Sequence, residues 1–362
     1  LVKTEKYKDL NRKMFDMVIS EARNLGIKEI LPTYAEGDRK GVQFDNGQVT
    51  VPQCFHRPYK LFVEGEWIAM AEDPEVGGQG FPWIIRQAAF EYIIGANFAI
   101  AGFGNLGHGA AKMIELFGTP QQRELFLQKV YSGQWGGTML LTEPGAGSDV
   151  GALTTTAVKN PDGTYSLTGN KIFITCGEHD LTENIIHPVL ARVEGAPPGP
   201  KGISLFIVPK IWVNDDGSLG EPNDIVCSGV EEKMGIHGSP TCTLAFGENG
   251  GAVGYLVGEP HNGLAAMFTM MNDARQGVGL QGLSVSERSY QQALGWAYRI
   301  AADGSGLAEL DVQSCPQVLD YPVVSNDAST IVLMVDGPEL YRLPGGGGIG
   351  SLILDDSAAV NK

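Results

Sequence analysis

Hydrophobic positions recur at helical spacing over most of the first 131 residues. Between residues 4 and about 25 the apolar side chains fall on one helix face, and Gly26 predicts the end of that helix. Further helices are predicted near residues 56–63, from 81 to about 101, and over 106–116. Thr119-Pro-Gln-Gln122 has the cap residue, proline and glutamine of a capping box, which predicts a helix to about Tyr131. These elements predict an N-terminal helical domain over residues 1–136.

The pattern then changes from helical to alternating. Two short runs, 154–158 and 164–167, flank Asp162-Gly163 and predict a hairpin. Further strands are predicted over four segments: 171–175, 189–193, 202–208 and 241–246. Residues 137–250 are therefore predicted to form a middle β domain.

Helical spacing returns at Asn262. Apolar side chains at i, i+3, i+4 and i+7 start at Leu264, and the pattern continues through Leu294 to Tyr298. We assign residues 251–300 to the first helices of a third domain. In the tail, residues 301–362, the helical pattern is lost, and 329–335 and 351–354 predict short strands around a glycine run. The fold class is α+β with an atypical tail, whose structure and role the sequence leaves unknown.

Composition narrows the class of protein. The chain has 362 residues, a net charge of −16, and no apolar run approaching the roughly 20 residues of a membrane helix. Its first residues lack the apolar segment of a signal peptide, so we expect a soluble cytoplasmic protein. The acidic charge argues against nucleic acid or anionic membranes as partners. The five cysteines are scattered singly, which favours reduced thiols over disulfides.

One stretch indicates a ligand site. From Met139 to Val150 an apolar run ends at Pro144 and passes into a turn containing Gly145 and Gly147. We expect these glycines to adopt backbone angles closed to other residues, so that successive N–H groups form a concave site for an anion. A phosphate-bearing ligand fits such a turn. On this stretch alone, an ordinary strand connection is the alternative.

The motifs in their order along the chain resemble the acyl-CoA dehydrogenase family. The resemblance covers residues 1 to about 300 and rests on a helical block, Leu141-Thr-Glu-Pro-Gly-Ala-Gly-Ser-Asp149, a strand ending at Thr175, and Asn272-Asp-Ala-Arg275. Three further segments are similar to the methylmercaptopropionyl-CoA dehydrogenase type: 177–184, 233–238 and 267–272. The resemblance implies an N-terminal helical domain, a middle β-barrel domain and the start of a C-terminal helical domain.

The resemblance also implies an FAD site. Side chains two apart share a strand face, so Phe173 and Thr175 point one way and Ile172 and Ile174 the other. By resemblance, Phe173 lies against the flavin ring and Thr175 bonds near the atom that accepts hydride. The implied FAD-binding residues are Leu140, Leu141, Thr142, Gly147, Ser148, Phe173, Ile174 and Thr175. The implied substrate-binding residues are Ser148, Asn272 and Arg275, although a snorkelling or ion-paired role for Arg275 stays open.

The implied reaction is FAD-dependent α,β-dehydrogenation of an acyl-CoA thioester, with electrons passed to an electron-transfer flavoprotein. Relatives of this type are oligomers, and the resemblance implies an uncovered face on the last helix with apolar residues such as Leu280, Leu283 and Leu294. A homo-oligomer is therefore expected, with a tail that folds back over this helix as the alternative. A rival metal site among His179, Asp180, Glu183 and His187 is not predicted, because their spacing fits no zinc pattern.

The catalytic base cannot be assigned from the sequence. The family uses a glutamate, which in one group immediately precedes the helix arginine, where this chain has Ala274. In the other group it comes from the C-terminal helices, but the 87 residues from 276 to 362 lack their pattern. The chain is therefore either a fragment, a protein with an altered C-terminus, or one part of an assembly. A flavin- or acyl-CoA-binding protein of the same fold without turnover is the alternative function.

Overall fold

The computed structural model describes residues 4–294 and, after them, six short strands. The chain divides into two compact units, Leu1–Ser284 and Val285–Lys362. The four cysteines described in it are free thiols, three of them buried. None of the described helices is long and apolar enough to cross a membrane.

The N-terminal region is helical, as predicted, with one short hairpin. Its helices and strands are α1 Arg12–Leu25, α2 Tyr34–Lys40, β1 Gln43–Asp45, β2 Gln48–Thr50, α3 His56–Glu64, α4 Trp83–Ala96, α5 Phe98–Phe117, α6 Pro120–Gln122 and α7 Gln128–Tyr131. The capping box at Thr119 is present, with both reciprocal hydrogen bonds. The first helix begins later than predicted, because Asn11 caps it by accepting from the Met14 N–H.

The prediction of a single helix over residues 81–101 was wrong, because two helices, α4 and α5, occupy this segment. Asn97 separates α4 from α5: its Oδ1 accepts from the Ala99 N–H at 3.1 Å and its Nδ2 donates to Thr33 Oγ1 at 3.1 Å. The side chain is buried, so both bonds are made away from water. The break changes the helix direction beside the cavity described below.

The middle region is a barrel with extensions. Its strands are β3 Trp135–Gly137, β4 Thr156–Lys159, β5 Tyr165–Thr175, β6 Asn184–Val193, β7 Ile203–Pro209, β8 Ile211–Val213, β9 Leu219–Pro222, β10 Ile225–Val230, β11 Thr241–Phe246 and β12 Ala252–Val257. The pairings β5–β12, β12–β7, β7–β6, β6–β4 and β4–β5 close a five-stranded ring. The predicted hairpin is β4–β5, but the segment 171–175 is the second half of β5 rather than a separate strand. That half leaves the ring and pairs with β11.

The end of the barrel and the end of the last helix differ from the predicted boundaries. Strand β12 pairs with β5 and β7, so the barrel extends to Val257 rather than to residue 250. One helix follows, α8 Gly263–Leu294, and Tyr298 lies in β13 rather than in a continued helix. The tail strands are β13 Ala297–Arg299, β14 Ala308–Leu310, β15 Val323–Val324, β16 Thr330–Met334, β17 Leu340–Pro344 and β18 Ser351–Leu354. Of the two strands predicted for the tail, segment 329–335 contains β16 and segment 351–354 is β18. The glycine run at 345–348 lies outside the described residues.

The buried apolar residues form two clusters, the first of which also includes residues on one face of the barrel. Buried aromatic and aliphatic side chains of α3, α4, α5 and the 123–131 segment pack together in the helical region, among them Phe62, Phe90, Ile100 and Phe126. A second cluster fills the barrel, among them Leu167, Val189, Phe206 and Phe246. Burial of these side chains is the main term holding each layer together.

Candidate functional site

A buried ion pair between Glu143 and Lys171 anchors the predicted ligand turn. Glu143 is 3% exposed, and its carboxylate accepts from five donors: Thr154 N and Oγ1, Thr155 N and Oγ1, and Lys171 Nζ at 2.8 Å. Lys171 Nζ also donates to the Leu141 carbonyl at 3.1 Å. Burial alone raises the pKa of Glu143, but Lys171 and these hydrogen bonds outweigh it and lower that pKa to about 2. The pair ties the turn to β5.

Backbone hydrogen bonds fix the turn and leave its tip, at Gly147 and Ser148, exposed. Glu143 and Ala146 exchange backbone hydrogen bonds, and the Ile172 N–H donates to the Thr142 carbonyl at 2.9 Å. Gly147 and Ser148 are exposed, and their N–H groups have no acceptor within the described part of the chain. Two donors thus face outward beside a rigid base, which suits an anionic group.

The prediction that Gly145 and Gly147 need unusual backbone angles is wrong. Neither has a positive φ. A Cβ on Gly145 would meet nothing within 4 Å, and one on Gly147 only the Thr142 methyl at 3.8 Å. These glycines therefore leave space above the turn rather than permit a left-handed conformation.

The end of β5 carries backbone strain where the flavin residues were predicted. Phe173 has φ 60° and Cys176 has φ 55°, and both flank the exposed Thr175. The register between β5 and β11 shifts between Ile174 and Lys171, so Phe173 sits in a bulge. A positive φ on a bulky residue costs about 1–3 kcal/mol, and such residues cluster at ligand sites.

Burial agrees with the predicted faces at Phe173, Ile174 and Thr175, but Ile172 is only half-buried and the bulge at Phe173 interrupts the regular alternation. Phe173 is 57% exposed and Ile174 is 2% exposed, while Thr175 is again exposed. The exposed face offers a flat ring beside a hydroxyl group, with the open turn nearby in the same sheet. A planar ligand that carries a phosphate fits these residues.

Leu140 contributes less than was predicted. Its N–H donates to the Pro188 carbonyl at 3.0 Å and its carbonyl accepts from the Leu190 N–H at 3.1 Å. The N–H is thus used by β6, and only the second lone pair of the carbonyl is left for a ligand. Leu141 differs, because its N–H has no acceptor within residues 4–290.

Thr175 lines a cavity of ≈ 210 Å³ between α4, α5, α8 and the barrel. Its wall is mostly apolar or small, with a few polar side chains. The lining residues are Arg86, Gln87, Phe98, Gly102, Asn105, Leu106, Gly109, Met139, Thr175, Met270, Asp273, Ala274, Gly277 and Val278. A Cβ added at Gly102 or Gly277 would meet no atom within 4 Å and would project into open space. A Cβ added at Gly109 would lie 2.7 Å from Met270 Cγ. The glycines therefore set the width of the cavity.

Asn272 and Arg275 do not line this cavity. Both are exposed, and the Arg275 guanidinium donates to Asn272 Oδ1 and lies 5.6 Å from the centre of the Phe268 ring. The cavity face of α8 consists of positions 270, 273, 274, 277 and 278, which repeat at helical spacing. The predicted substrate residues Asn272 and Arg275 therefore lie on the neighbouring, open face of the helix.

A charged cluster behind the cavity escaped the sequence reasoning. His108 is 2% exposed and lies between two carboxylates, with Nε2 2.7 Å from Glu72 Oε1 and Nδ1 2.9 Å from Asp273 Oδ2. Lys112 Nζ donates to the other oxygen of Glu72 at 2.7 Å. Burial opposes ionisation, yet His108 and Lys112 lower the pKa of Glu72 to about 2. Burial also raises the pKa of Asp273, but His108 and, to a smaller extent, Arg86 outweigh burial and lower that pKa.

His108 joins the 65–80 loop, which carries Glu72, to α8, which carries Asp273. A signal for this cluster was visible in the sequence, since Arg86 and His108 are polar residues in predicted buried helices, but their partners lie far along the chain.

The four residues considered as a rival metal site have separate roles. Asp180 Oδ1 accepts from the Val51 N–H at 3.0 Å, and His187 Nδ1 is 2.9 Å from Thr138 Oγ1. His179 accepts from the Leu181 N–H, and Glu183 accepts from the Gln134 amide. Within the described residues, no group of three or more potential metal ligands is found.

Comparison with known proteins identifies the family. The model of the acyl-CoA dehydrogenase N-terminal domain matches residues 14–134, and that of the acyl-CoA dehydrogenase middle domain matches residues 138–248. The chain belongs to the acyl-CoA dehydrogenase family.

Individual relatives agree. The chain is 39% identical to the 3-methylmercaptopropionyl-CoA dehydrogenase of Ruegeria pomeroyi over 88% of its own length and 53% of the relative's. It is 40% identical to a butyryl-CoA dehydrogenase of Syntrophomonas wolfei over 73% of its length and 45% of the relative's. The solved butyryl-CoA dehydrogenase of Megasphaera elsdenii is 28% identical, with a TM-score of 0.63 over 78% of this chain and 68% of that one. The chain spans about half the length of the curated relatives it matches.

Proposed function

We propose that this chain binds FAD across the turn and the end of β5, and that the whole protein oxidises an acyl-CoA thioester between its α and β carbons. The observation that carries the proposal is the position of Thr175. It stands on the exposed face with Phe173 and also lines the cavity, so one residue borders both the flat ligand surface and the acyl-sized space.

The residues present fit FAD. Thr142 would bond the pyrimidine end of the ring, with Leu141 and the Leu140 carbonyl beside it, and Phe173, Ile174 and Thr175 would hold the ring system. Gly147 and Ser148 would lie at the phosphates, where the open tip and its two outward N–H groups support the assignment. FAD, when bound, supplies the two-electron acceptor of the reaction.

The chain's own contribution is to hold the acyl group in a mostly apolar cavity. Met139, Phe98 and Met270 provide apolar walls, and exclusion of water strengthens any hydrogen bond made there. Arg275, Asn272 and Ser148 remain the residues proposed for the CoA portion, since all three are exposed outside the cavity.

We assign no catalytic base within the described residues. Ala274 has no ionisable group, and the only carboxylate among the cavity-lining residues, Asp273, is hydrogen-bonded to His108 and has a lowered pKa. A lowered pKa makes a weaker proton acceptor. This observation favours the second candidate function, a chain that binds flavin and acyl-CoA without turnover by itself.

We propose an electron-transfer flavoprotein as the electron acceptor and a homo-oligomer as the working form. Val278 and Leu283 on α8 are 62% and 56% exposed, which supports a contact surface on that helix. Sedimentation velocity is the direct test, and a monomer at micromolar concentration would contradict the oligomer.

One spectroscopic experiment separates the two candidate functions. The purified chain is loaded with FAD and mixed anaerobically with butyryl-CoA, while flavin absorbance is recorded. Bleaching of the flavin band shows dehydrogenation, and a band shift without bleaching shows binding alone. A chain that takes up neither FAD nor acyl-CoA would refute both candidates.

A further inference from the structure

The cavity wall includes a few polar side chains, and Arg86 is one of them. This arginine is only 3% exposed, yet it lines the cavity together with Gln87 and Asn105. Its guanidinium lies 4.6 Å from the centre of the Trp83 ring and 4.1 Å from that of Phe90, so the two rings hold it in place. A rigid cation thus forms part of the wall of an acyl-sized space.

The hydrogen bonds of Arg86 are incomplete. Nη2 donates to Asn105 Oδ1 at 3.2 Å, while the buried Nε has no acceptor anywhere in the described chain. A buried donor without a partner costs about 1–3 kcal/mol, more when charged, so such groups point to a missing partner. Because Asn105 accepts with its oxygen, its amide nitrogen is also left to donate.

Carboxylates already lie near Arg86, although burial outweighs their effect and lowers the pKa of Arg86 to about 10. Asp273 lines the same cavity, and Asp273 and Glu72 both act electrostatically on the guanidinium. A second carboxylate in the cavity would therefore be repelled by Asp273. A neutral oxygen would satisfy the free donors without this repulsion.

We infer that Arg86, with Asn105, selects acyl groups that carry a neutral hydrogen-bond acceptor a few atoms beyond the thioester, such as an ether oxygen. The inference rests on the proposed function and names the substrate class of that same cavity. The space, ≈ 210 Å³, holds about seven water-sized groups, which limits the acyl group to a short one.

Three isosteric probes test this selection: pentanoyl-CoA, 3-methylmercaptopropionyl-CoA and 3-methoxypropionyl-CoA. They differ only in whether one chain position is CH₂, sulfur or oxygen, and a thioether sulfur is a weak acceptor. Dissociation constants are measured by calorimetry on the full chain, so no turnover is required. We expect 3-methoxypropionyl-CoA to bind about tenfold more tightly than pentanoyl-CoA, with the sulfur compound between them.

Variants test whether Arg86 and Asn105 cause the preference for 3-methoxypropionyl-CoA. Arg86→Met, which keeps an unbranched side chain between the two rings, should bring the affinities for 3-methoxypropionyl-CoA and pentanoyl-CoA to within about twofold of each other. Arg86→Lys keeps the charge but loses the planar donor group, and Asn105→Leu removes the second donor; each should reduce the preference. Arg57→Lys, at an exposed arginine of α3, is the matched control and should retain it.

The outcomes are distinct. Equal affinities for the three probes, or a preference that survives in Arg86→Met and Arg86→Lys, would overturn the inference and leave the proposed function standing. Tighter binding of glutaryl-CoA than of 3-methoxypropionyl-CoA would overturn the preference for a neutral group. Absence of binding by every acyl-CoA, with the chain folded by circular dichroism, would overturn the proposed function and the inference together.

Discussion

Two buried charged clusters in the described part of the chain differ in how completely their hydrogen bonds are satisfied. Under the turn, Glu143 accepts from five donors and Lys171 donates to Glu143 and Leu141. Behind the cavity, His108 is shared by two carboxylates, and the Arg86 Nε has no acceptor in the described chain. A saturated cluster can only stabilise the fold, whereas one with spare donors at a cavity wall can also bind a ligand.

The largest expected effect is the loss of the lysine in the saturated cluster. Lys171→Met leaves the buried Glu143 carboxylate without its counter-charge, and breaking such a pair costs about 3–5 kcal/mol. Urea unfolding followed by circular dichroism measures the cost. Lys159→Met, at an exposed lysine of β4, is the control and should change stability by less than about 0.5 kcal/mol.

A change of less than 1 kcal/mol in Lys171→Met would mean that the turn is not anchored by this pair.

Acid should weaken both clusters. The pKa values of Glu143 and Glu72 are lowered from 4.5 to about 2 in the folded chain. A carboxylate with a lowered folded pKa stabilises above its unfolded pKa, so this contribution is complete above pH 4.5 and is lost as the pH falls towards 2. Each residue accounts for on the order of 3 kcal/mol.

Unfolding free energies between pH 6 and pH 3 should therefore fall in the unmodified chain and fall less in Glu143→Gln and Glu72→Gln. Parallel curves for the three proteins would contradict the assignment of these carboxylates.

The cluster behind the cavity should tolerate substitution better than the saturated one. His108→Gln retains an amide donor for one carboxylate but loses the second hydrogen bond, which should cost about 1–3 kcal/mol. Thermal unfolding measures it, with His261→Asn as a control at an exposed histidine. A loss larger than that of Lys171→Met would reverse the ranking of the two clusters.

The smallest effect concerns strain at the ligand surface. Phe173→Gly relieves the positive φ but adds backbone freedom to the unfolded chain, so the FAD-free chain should become more stable by about 1 kcal/mol or less. FAD affinity should fall at the same time, because the flat ring surface is removed. A destabilised chain with unchanged FAD affinity would show that Phe173 serves the fold rather than the ligand.

Local patterns in the sequence were sufficient for much of the fold. The capping box at Thr119 was predictable because all its bonds lie within four residues, and the β4–β5 hairpin because its turn is local. The break at Asn97 was not, since it depends on a bond to Thr33, 64 residues away. Strand β12 was missed for a similar reason, because its pairing partners β5 and β7 are distant in sequence.

The candidate site divides in the same way. The motif residues from Leu140 to Ser148 and from Phe173 to Thr175 were selected by resemblance, and they remain predictions as ligand contacts. Arg86 was visible as a charge in an apolar helix, but its role depends on Asp273 and Asn105, which only the packing of α5 and α8 brings to the same cavity. The conformations of Gly145 and Gly147 were predicted wrongly because composition cannot distinguish a need for space from a need for positive φ.

The central claim is that FAD lies against Thr175, and a flavin-binding titration of Thr175→Trp tests it most directly. The bulky side chain would fill the exposed face beside Phe173, so the account predicts FAD binding at least about tenfold weaker than in the unmodified chain, a loss of about 1.4 kcal/mol or more. Thr156→Trp, at an exposed position of β4 in the same barrel, should bind FAD normally. Undiminished FAD binding by Thr175→Trp, or an unmodified chain that takes up no FAD at saturating concentration, would contradict the account.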